Sequence, residues 1–244
     1  MKVLILGGTT EASALARMLA GDPRFDATLS LAGLTSDPVA QPIPCRTGGF
    51  GGADGLAAYL AANHVDALVD ATHPFAAQMT RHAAAQTVPR LAILRPPWTS
   101  GPGDRWQAVA DMTEAAAALG PTPRRVLLTI GQKDLQPFSV CTHIYKVRSV
   151  EPPQRPPPGT EVIIARGPFD EAAERRLLEA HAIEVLVTKN SGGTATSAKL
   201  DAARALGLPV IMVARPPPPD GIDRVPDAAA AMRWLEAHAT LRGE

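Results

Sequence analysis

The sequence of 244 residues predicts an α/β fold in two similar halves, and three observations carry that prediction. Apolar runs of strand length alternate with helical patterns along the chain, the signature of βαβ units and a parallel sheet. Several blocks recur in the same order in each half. Two runs end in polar and small residues: Ala67-Leu68-Val69 leads into Asp70-Ala71-Thr72-His73-Pro74-Phe75, and Val185-Leu186-Val187 into Thr188-Lys189-Asn190-Ser191-Gly192-Gly193. Buried parallel strands that end this way place such residues at the carboxyl edge of a sheet, where open α/β folds bind ligands. The expected architecture is two similar Rossmann-like domains, with mostly parallel sheets and a cleft between them.

The elements follow in order. Val3 to Leu6 reads as the first strand, and Glu11 to Leu19 as a helix with Ala12, Leu15, Ala16 and Leu19 on one face. Strands are expected at Ala27 to Leu31, Ile43 to Arg46, Ala67 to Asp70 and Leu91 to Leu94, with helices at Gly55 to Ala62 and Ala76 to Gln86. Gln107 to Val109 reads as a short strand before a helix from Thr113 to Leu119. The second half restarts at Val126 to Ile130, a strand ending in Gly131 as Leu6 ends in Gly7. His64-Val65-Asp66-Ala67-Leu68-Val69 matches Ala182-Ile183-Glu184-Val185-Leu186-Val187 in period and polarity, and Leu91 to Pro97 matches Ile211 to Pro217. Both halves close with an alanine-rich helix, the second from Asp227 to Ala239. These repeats divide the chain near Pro121 to Arg125, into domains 1–123 and 124–244. Whether each closing strand and helix packs on its own half or on the other stays open. The proline runs 152–158 and 216–219 read as rigid connections, since proline lacks the ladder donor.

Composition narrows the class. Hydrophobic residues make up 45% and aromatics 4%, so aliphatic side chains must fill the core. Lys and Arg total 24, as do Asp and Glu, so no basic footprint points to nucleic acid. No run approaches the roughly 18 apolar residues of a membrane span, and Met1 to Leu6 is too short to be a signal peptide. A soluble, cytoplasmic protein is expected. Cys45 and Cys141 have no metal or redox spacing and read as a buried free thiol in each half. No metal site is expected.

Gly7-Gly8-Thr9-Thr10 follows the first strand and opens the first helix, where backbone N–H groups and the helix dipole meet phosphate. It departs from G-x-G-x-x-G at its third position, Thr9. The second strand ends Leu29-Ser30-Leu31-Ala32-Gly33, without the acid that holds the ribose of NAD. Arg46 closes the next strand in a position to meet a 2′-phosphate, which tilts a nicotinamide reading towards NADPH. Phe50, among the glycines of 48–52, and Phe75 are candidate apolar walls. His73 is a candidate proton donor near neutral pH. Lys189, Asn190, Ser191, Gly192 and Gly193 combine a cation, an amide, a hydroxyl and two glycines, a set that suits an anion. Gly131 and Lys133 form a matching loop, and Lys199 adds charge to the following helix. Arg95, Arg148 and Arg215 end or follow strands and are candidate clamps for acidic groups.

Taken together, the blocks resemble the precorrin-6A reductase family of cobalamin biosynthesis. The motifs are Leu6-Gly7-Gly8-Thr9-Thr10-Glu11, Ser30-Leu31-Ala32-Gly33, Arg46-Thr47-Gly48-Gly49-Phe50-Gly51-Gly52, Asp70 to Ala76, Arg95-Pro96-Pro97-Trp98, Leu128-Thr129-Ile130-Gly131, Arg166-Gly167-Pro168-Phe169 and Thr188 to Gly193. One departure is Leu34, where relatives often carry a basic residue; its duty would fall to Arg46 or another cation. The resemblance implies that NADPH reduces one C=C bond of precorrin-6A to give precorrin-6B. It makes Gly7 to Thr10, Arg46, Gly131, Lys133 and Lys189 to Gly193 cofactor residues. Phe50, Phe75, Arg95, Arg148, Lys199 and Arg215 become residues for the acidic tetrapyrrole, and His73 the candidate catalytic group. Two rival readings are a tetrapyrrole methyltransferase using S-adenosylmethionine and a non-enzymatic two-lobed nucleotide- or tetrapyrrole-binding protein. The lack of an acid after the second strand argues against the first. Whether the substrate carries cobalt, and the oligomeric state, stay open.

Overall fold

The computed structural model describes residues 1–33, 39–140, 142–241 and 243, the side chain of residue 140 excepted. Leu34 and Cys141 lie outside the described residues. The chain forms two compact units, Met1–Pro96 with Pro216–Glu244, and Pro97–Arg215. The sequence repeats place a single cut at 123/124. In the structure residues 97–123 fall with the second unit and 216–244 with the first.

Strand pairing gives the reason. The first unit holds strands β1 (Lys2–Leu6), β2 (Asp26–Leu31), β3 (Cys45–Thr47), β4 (Ala67–Asp70) and β5 (Arg90–Ile93). The second holds β6 (Arg105–Val109), β7 (Arg125–Thr129), β8 (Ile144–Ser149), β9 (Glu161–Ile164), β10 (Val185–Lys189) and β11 (Pro209–Val213); β12 (Asp223–Val225) belongs to the first. The sheets run β12-β5-β4-β1-β2-β3 and β6-β11-β10-β7-β8-β9, and every pairing is parallel. Both have the doubly wound order 3-2-1-4-5-6. The sixth place in each is taken by the strand that follows the other sheet's fifth. β6 pairs with β11 from Pro209↔Arg105 to Val213↔Val109, and β12 pairs with β5 from Asp223↔Leu91 to Val225↔Ile93.

The helices are α1 (Thr10–Leu19), α2 (Ala53–Ala62), α3 (Ala77–Ala84), α4 (Met112–Ala118), α5 (Glu171–Ala180), α6 (Ala198–Ala205) and α7 (Ala228–Leu241). The side chains of Thr9, Asp111 and Asp170 cap α1, α4 and α5 by accepting first-turn N–H groups. In the first unit, Leu15 and Leu19 of α1 and Ala231 and Leu235 of α7 share one core cluster with Val3, Ile5 and Val69. In the second, Leu127, Leu186, Val210 and Met212 pack on Leu178 and Leu200. β8, β9 and α5 are not assigned by the sequence pattern, and β3 begins at Cys45 rather than Ile43. That edge strand leaves Cys45 exposed, not buried.

The repeat reaches atomic detail. His64 (φ 52°) and Ala182 (φ 46°) both adopt the left-handed conformation just before β4 and β10. The next acidic side chains then accept from the head of the central strand: Lys2 N–H donates to Asp66 Oδ2 at 2.7 Å, and Arg125 N–H to Glu184 Oε2 at 2.8 Å.

Candidate functional site

In a 3-2-1-4-5-6 sheet the crevice for ligands opens at the carboxyl edge, where the order reverses. That point lies between β1 and β4 in the first unit and between β7 and β10 in the second. Because every strand is parallel, each predicted polar cluster falls on the carboxyl edge of its own sheet.

In the first unit, Thr9 ties the switch point together. Its hydroxyl donates to Ala71 O at 2.7 Å and accepts from Ala12 N–H at 3.2 Å, so it caps α1 and joins the β1 and β4 turns. The hydroxyl proton is thus already used within the fold. Gly8, at φ 116°, stands in a conformation reserved for glycine, with open space where a Cβ would be. The N–H groups of Gly8 and Thr10 have no acceptor among the described residues. Thr10 Oγ1 donates to Glu11 Oε2 at 3.1 Å, and Arg95 Nη1 holds the same oxygen at 2.6 Å. Arg95 therefore fastens the end of β5 to the start of α1.

Arg46 is the scaffold of its own loop. Nη1 donates to Ser30 Oγ at 2.7 Å and to Gly48 O at 3.0 Å, and Nη2 to Gly49 O at 3.2 Å. The guanidinium lies 4.1 Å from the ring centroid of Phe50 and 5.1 Å from that of Tyr59, and those two rings meet edge to face. Phe50 is half-buried against this stack. The loop also needs Gly55, which the sequence reading missed: a Cβ there would sit 1.7 Å from Phe50 O. A glycine two residues into a helix right after a glycine-rich loop was its available signal.

Asp70, 3% exposed, accepts from Thr72 N–H at 3.0 Å and Thr72 Oγ1 at 2.7 Å, which shapes the β4 turn. His73 Nδ1 accepts from Phe75 N–H at 3.3 Å, and the two rings pack with centroids 5.8 Å apart. A neutral imidazole accepting at Nδ1 carries its proton on Nε2.

In the second unit the switch point is bridged by charge. Lys189 Nζ, at the end of β10, pairs with Asp134 Oδ2 at 2.5 Å, in the turn after β7. Gly131 lies beside this pair, 3.1 Å from Asp134 Oδ2 and 4.0 Å from Lys189 Nζ when measured from an ideal Cβ. Lys133 is exposed in the same turn. Asn190 clamps the main chain of Trp98: Oδ1 accepts from Trp98 N–H at 2.8 Å, and Nδ2 donates to Trp98 O at 2.9 Å. Arg215 Nε donates to Asn190 O at 2.6 Å. Ser191 is buried, and its N–H donates to Lys189 O at 2.8 Å. Gly192 (φ 64°) and Gly193 (φ 79°) are consecutive left-handed residues, and among the described residues neither N–H has an acceptor. Gly192 is buried, so its N–H is a main-chain donor without a partner among the described residues.

Two predicted substrate cations are inside the protein. Arg148 is 7% exposed and ion-paired to Glu174, itself 2% exposed, with its guanidinium 4.0 Å from the Phe169 ring centroid. Lys199 is 4% exposed; its ammonium donates to Thr196 O at 2.7 Å and lies 4.8 Å from the Trp98 ring centroid. Each therefore packs against an aromatic ring inside the fold, Arg148 on Phe169 and Lys199 on Trp98. Away from this edge, burial pushes the imidazole of His143 down, and the Arg124 charge acts in the same direction against a hydrogen bond that the ring donates to the Gly120 backbone. Among the described residues, no three His, Cys, Asp or Glu side chains form a metal-binding group, and no helix is long and apolar enough to cross a membrane.

Comparison with known proteins gives this edge its context. Residues 2–236 match the model of the precorrin-6x reductase CbiJ/CobK family. A precorrin-6A reductase of Rhodobacter capsulatus is 49% identical over 99% of this chain and 99% of its own. A cobalt-precorrin-6A reductase of Priestia megaterium is 29% identical over 88% of this chain and 90% of its own. A solved structure described as CobK precorrin-6A reductase is 47% identical and superposes with a TM-score of 0.92, covering 98% of this chain and 97% of that one. With the family model, the full-length identity and the shared fold in agreement, this chain belongs to the precorrin-6x reductase family.

Proposed function

We propose that this chain is an NADPH-dependent precorrin-6A reductase, reducing one C=C bond of the macrocycle to give precorrin-6B in cobalamin biosynthesis. The observation that carries the cofactor reading is the contact of Arg46 Nη1 with Ser30 Oγ at the carboxyl end of β2. An NAD enzyme holds a carboxylate there for the ribose 2′-OH, and an arginine suits the 2′-phosphate instead. When bound, the reduced nicotinamide supplies the hydride. The main-chain donors of Gly8 and Thr10, and those of Gly192 and Gly193, fit anionic groups of such a cofactor, each set at its own switch point. Gly7, Thr9, Gly131, Lys133, Lys189, Asn190 and Ser191 complete the proposed cofactor residues. Thr9, Asn190 and Lys189 serve by shaping the turns.

Phe50 and Phe75 are the proposed apolar surfaces for the ring system, and Arg95 and Arg215, each at the carboxyl edge of its own sheet, the proposed partners for its carboxylates. Arg148 and Lys199, both buried, fall outside the residues proposed to touch the ring system; Arg148 pairs with Glu174 against Phe169, and Lys199 lies inside the second unit. As proton donor His73 would act as the imidazolium, whose protonated Nδ1 gives up the bond from Phe75 N–H. We expect His73→Ala to slow turnover while NADPH binding persists, and undiminished turnover removes His73 from the mechanism. The higher identity to a precorrin-6A reductase, against 29% to a cobalt-precorrin-6A reductase, supports a metal-free substrate. A soluble, cytoplasmic setting suits such an enzyme. The test is an anaerobic assay of NADPH and NADH consumption with the metal-free and the cobalt-bearing ring. Equal use of both nucleotides would overturn the role of Arg46, and no reduction of either ring would overturn the reading.

A further inference from the structure

The 189–193 turn is built around a residue that the reading above does not use for chemistry. Trp98 stands just inside the second unit, half-buried. Asn190 holds its main chain on both sides, accepting its N–H at 2.8 Å and donating to its carbonyl at 2.9 Å. Its indole Nε1–H donates to Gly193 O at 2.9 Å, and the Lys199 ammonium lies 4.8 Å from the ring centroid. These fastenings fall on either side of Gly192 and Gly193, whose N–H groups have no acceptor among the described residues. Two adjacent left-handed glycines are the loosest backbone a chain has. Main-chain donors recognise an anion well only when they are held in place beforehand.

We infer that Trp98 is a positioning residue that holds the N–H groups of Gly192 and Gly193 ready for an anionic group of the cofactor, without touching it. The indole supplies the hydrogen bond that fixes the far end of the turn. Asn190 supplies the near end, and the buried Lys199 places positive charge behind the ring. The inference rests on the proposed NADPH-dependent reaction.

Trp98→Phe isolates the indole bond. The main-chain clamp by Asn190 does not depend on the side chain, and a phenyl ring still faces Lys199. Loss of one neutral hydrogen bond predicts a three- to tenfold rise, roughly, in Kd and KM for NADPH. KM for the tetrapyrrole and the melting temperature should stay near those of the parent. Trp98→His, which restores a ring N–H, should recover part of the loss. An unchanged NADPH Kd in Trp98→Phe overturns the inference while leaving the reductase reading intact. So does a parallel rise in both KM values with a fall in melting temperature. A parent protein that binds no NADPH overturns both. Amide hydrogen exchange on the unmutated chain gives a second measurement, independent of how the variant folds. NADPH should slow exchange in the peptide spanning 191–197, and no change there refutes the assignment.

Discussion

Arg148 separates a substrate-binding role from a supporting one. Its side chain is 5% exposed and that of Glu174 is 2% exposed. Among the described residues Glu174 Oε2 has no hydrogen-bond partner, and Arg148 is the cation that compensates this buried carboxylate. Removing one partner of such a pair strands a buried charge and costs about 3–5 kcal/mol. At roughly 2–4 °C per kcal/mol for a chain of this size, Glu174→Ala should lower the melting temperature by about 6–20 °C. Replacing both partners with apolar residues of similar volume is often neutral or stabilising. The Arg148→Met/Glu174→Leu double variant should therefore melt close to the parent, with the introduced thioether against Phe169 in place of the guanidinium. Calorimetry and steady-state kinetics on the single and double variants decide the matter. If Arg148 only supports the 166–169 loop, the double variant keeps its KM for the tetrapyrrole. A stable double variant with that KM raised tenfold would show that Arg148 binds substrate, and would refute the reasoning.

Three further outcomes follow from other parts of the chain. Gly55→Ala would drive a Cβ to within 1.7 Å of Phe50 O, so the Arg46 loop must move; we expect a loss of about 1–3 kcal/mol by chemical denaturation, with weaker NADPH binding by titration. Ala182 sits at φ 46°, and Ala182→Gly should stabilise by roughly 0.5–1 kcal/mol, the relief of left-handed strain exceeding the added chain entropy; a lower melting temperature would contradict this. His143 is depressed mainly by burial. Below about pH 6.5 the unfolded chain takes up a proton that the folded chain refuses. Stability should fall with pH from there down to the folded pKa, and His143→Asn should flatten that fall in melting curves between about pH 7.5 and 5.

How much of this was legible in sequence depended on range. Val185 to Val187 announce a strand because burial on both faces needs a continuous apolar run, and the polar residues after it mark the carboxyl edge. The exchange of β6 and β12 was not legible. Arg105-Trp106-Gln107-Ala108-Val109 shows that a strand can form, but its pattern does not name the neighbour it will pair with. The cations misled for a similar reason. A lysine or arginine after a strand reads as free charge until its partner is known. Lys189 finds Asp134, Arg148 finds Glu174 and Arg95 finds Glu11, all through tertiary folding. Asn190 reads as a ligand group for the same reason, yet its amide holds the main chain at Trp98.

The paired Arg-Pro-Pro sequences connect the exchange to the site. β5 and β11 each run, two residues past their ends, into an arginine and then two prolines. Proline has no N–H for a ladder, so neither strand can be extended and the chain must leave its sheet. At each exit the arginine fastens the departing chain to a site turn of its own unit. Arg95 reaches Glu11 at the head of α1, and Arg215 reaches Asn190 O after β10, each at 2.6 Å. In the second unit the entering chain is fastened to the same residue, since Asn190 also grips Trp98. One asparagine thus receives both chain crossings while forming part of the proposed anion-binding turn. A loop anchored this way cannot shift without pulling on the segments that enter and leave the unit. Its geometry is therefore set by long-range connections, with the two glycines contributing only the shape of the turn.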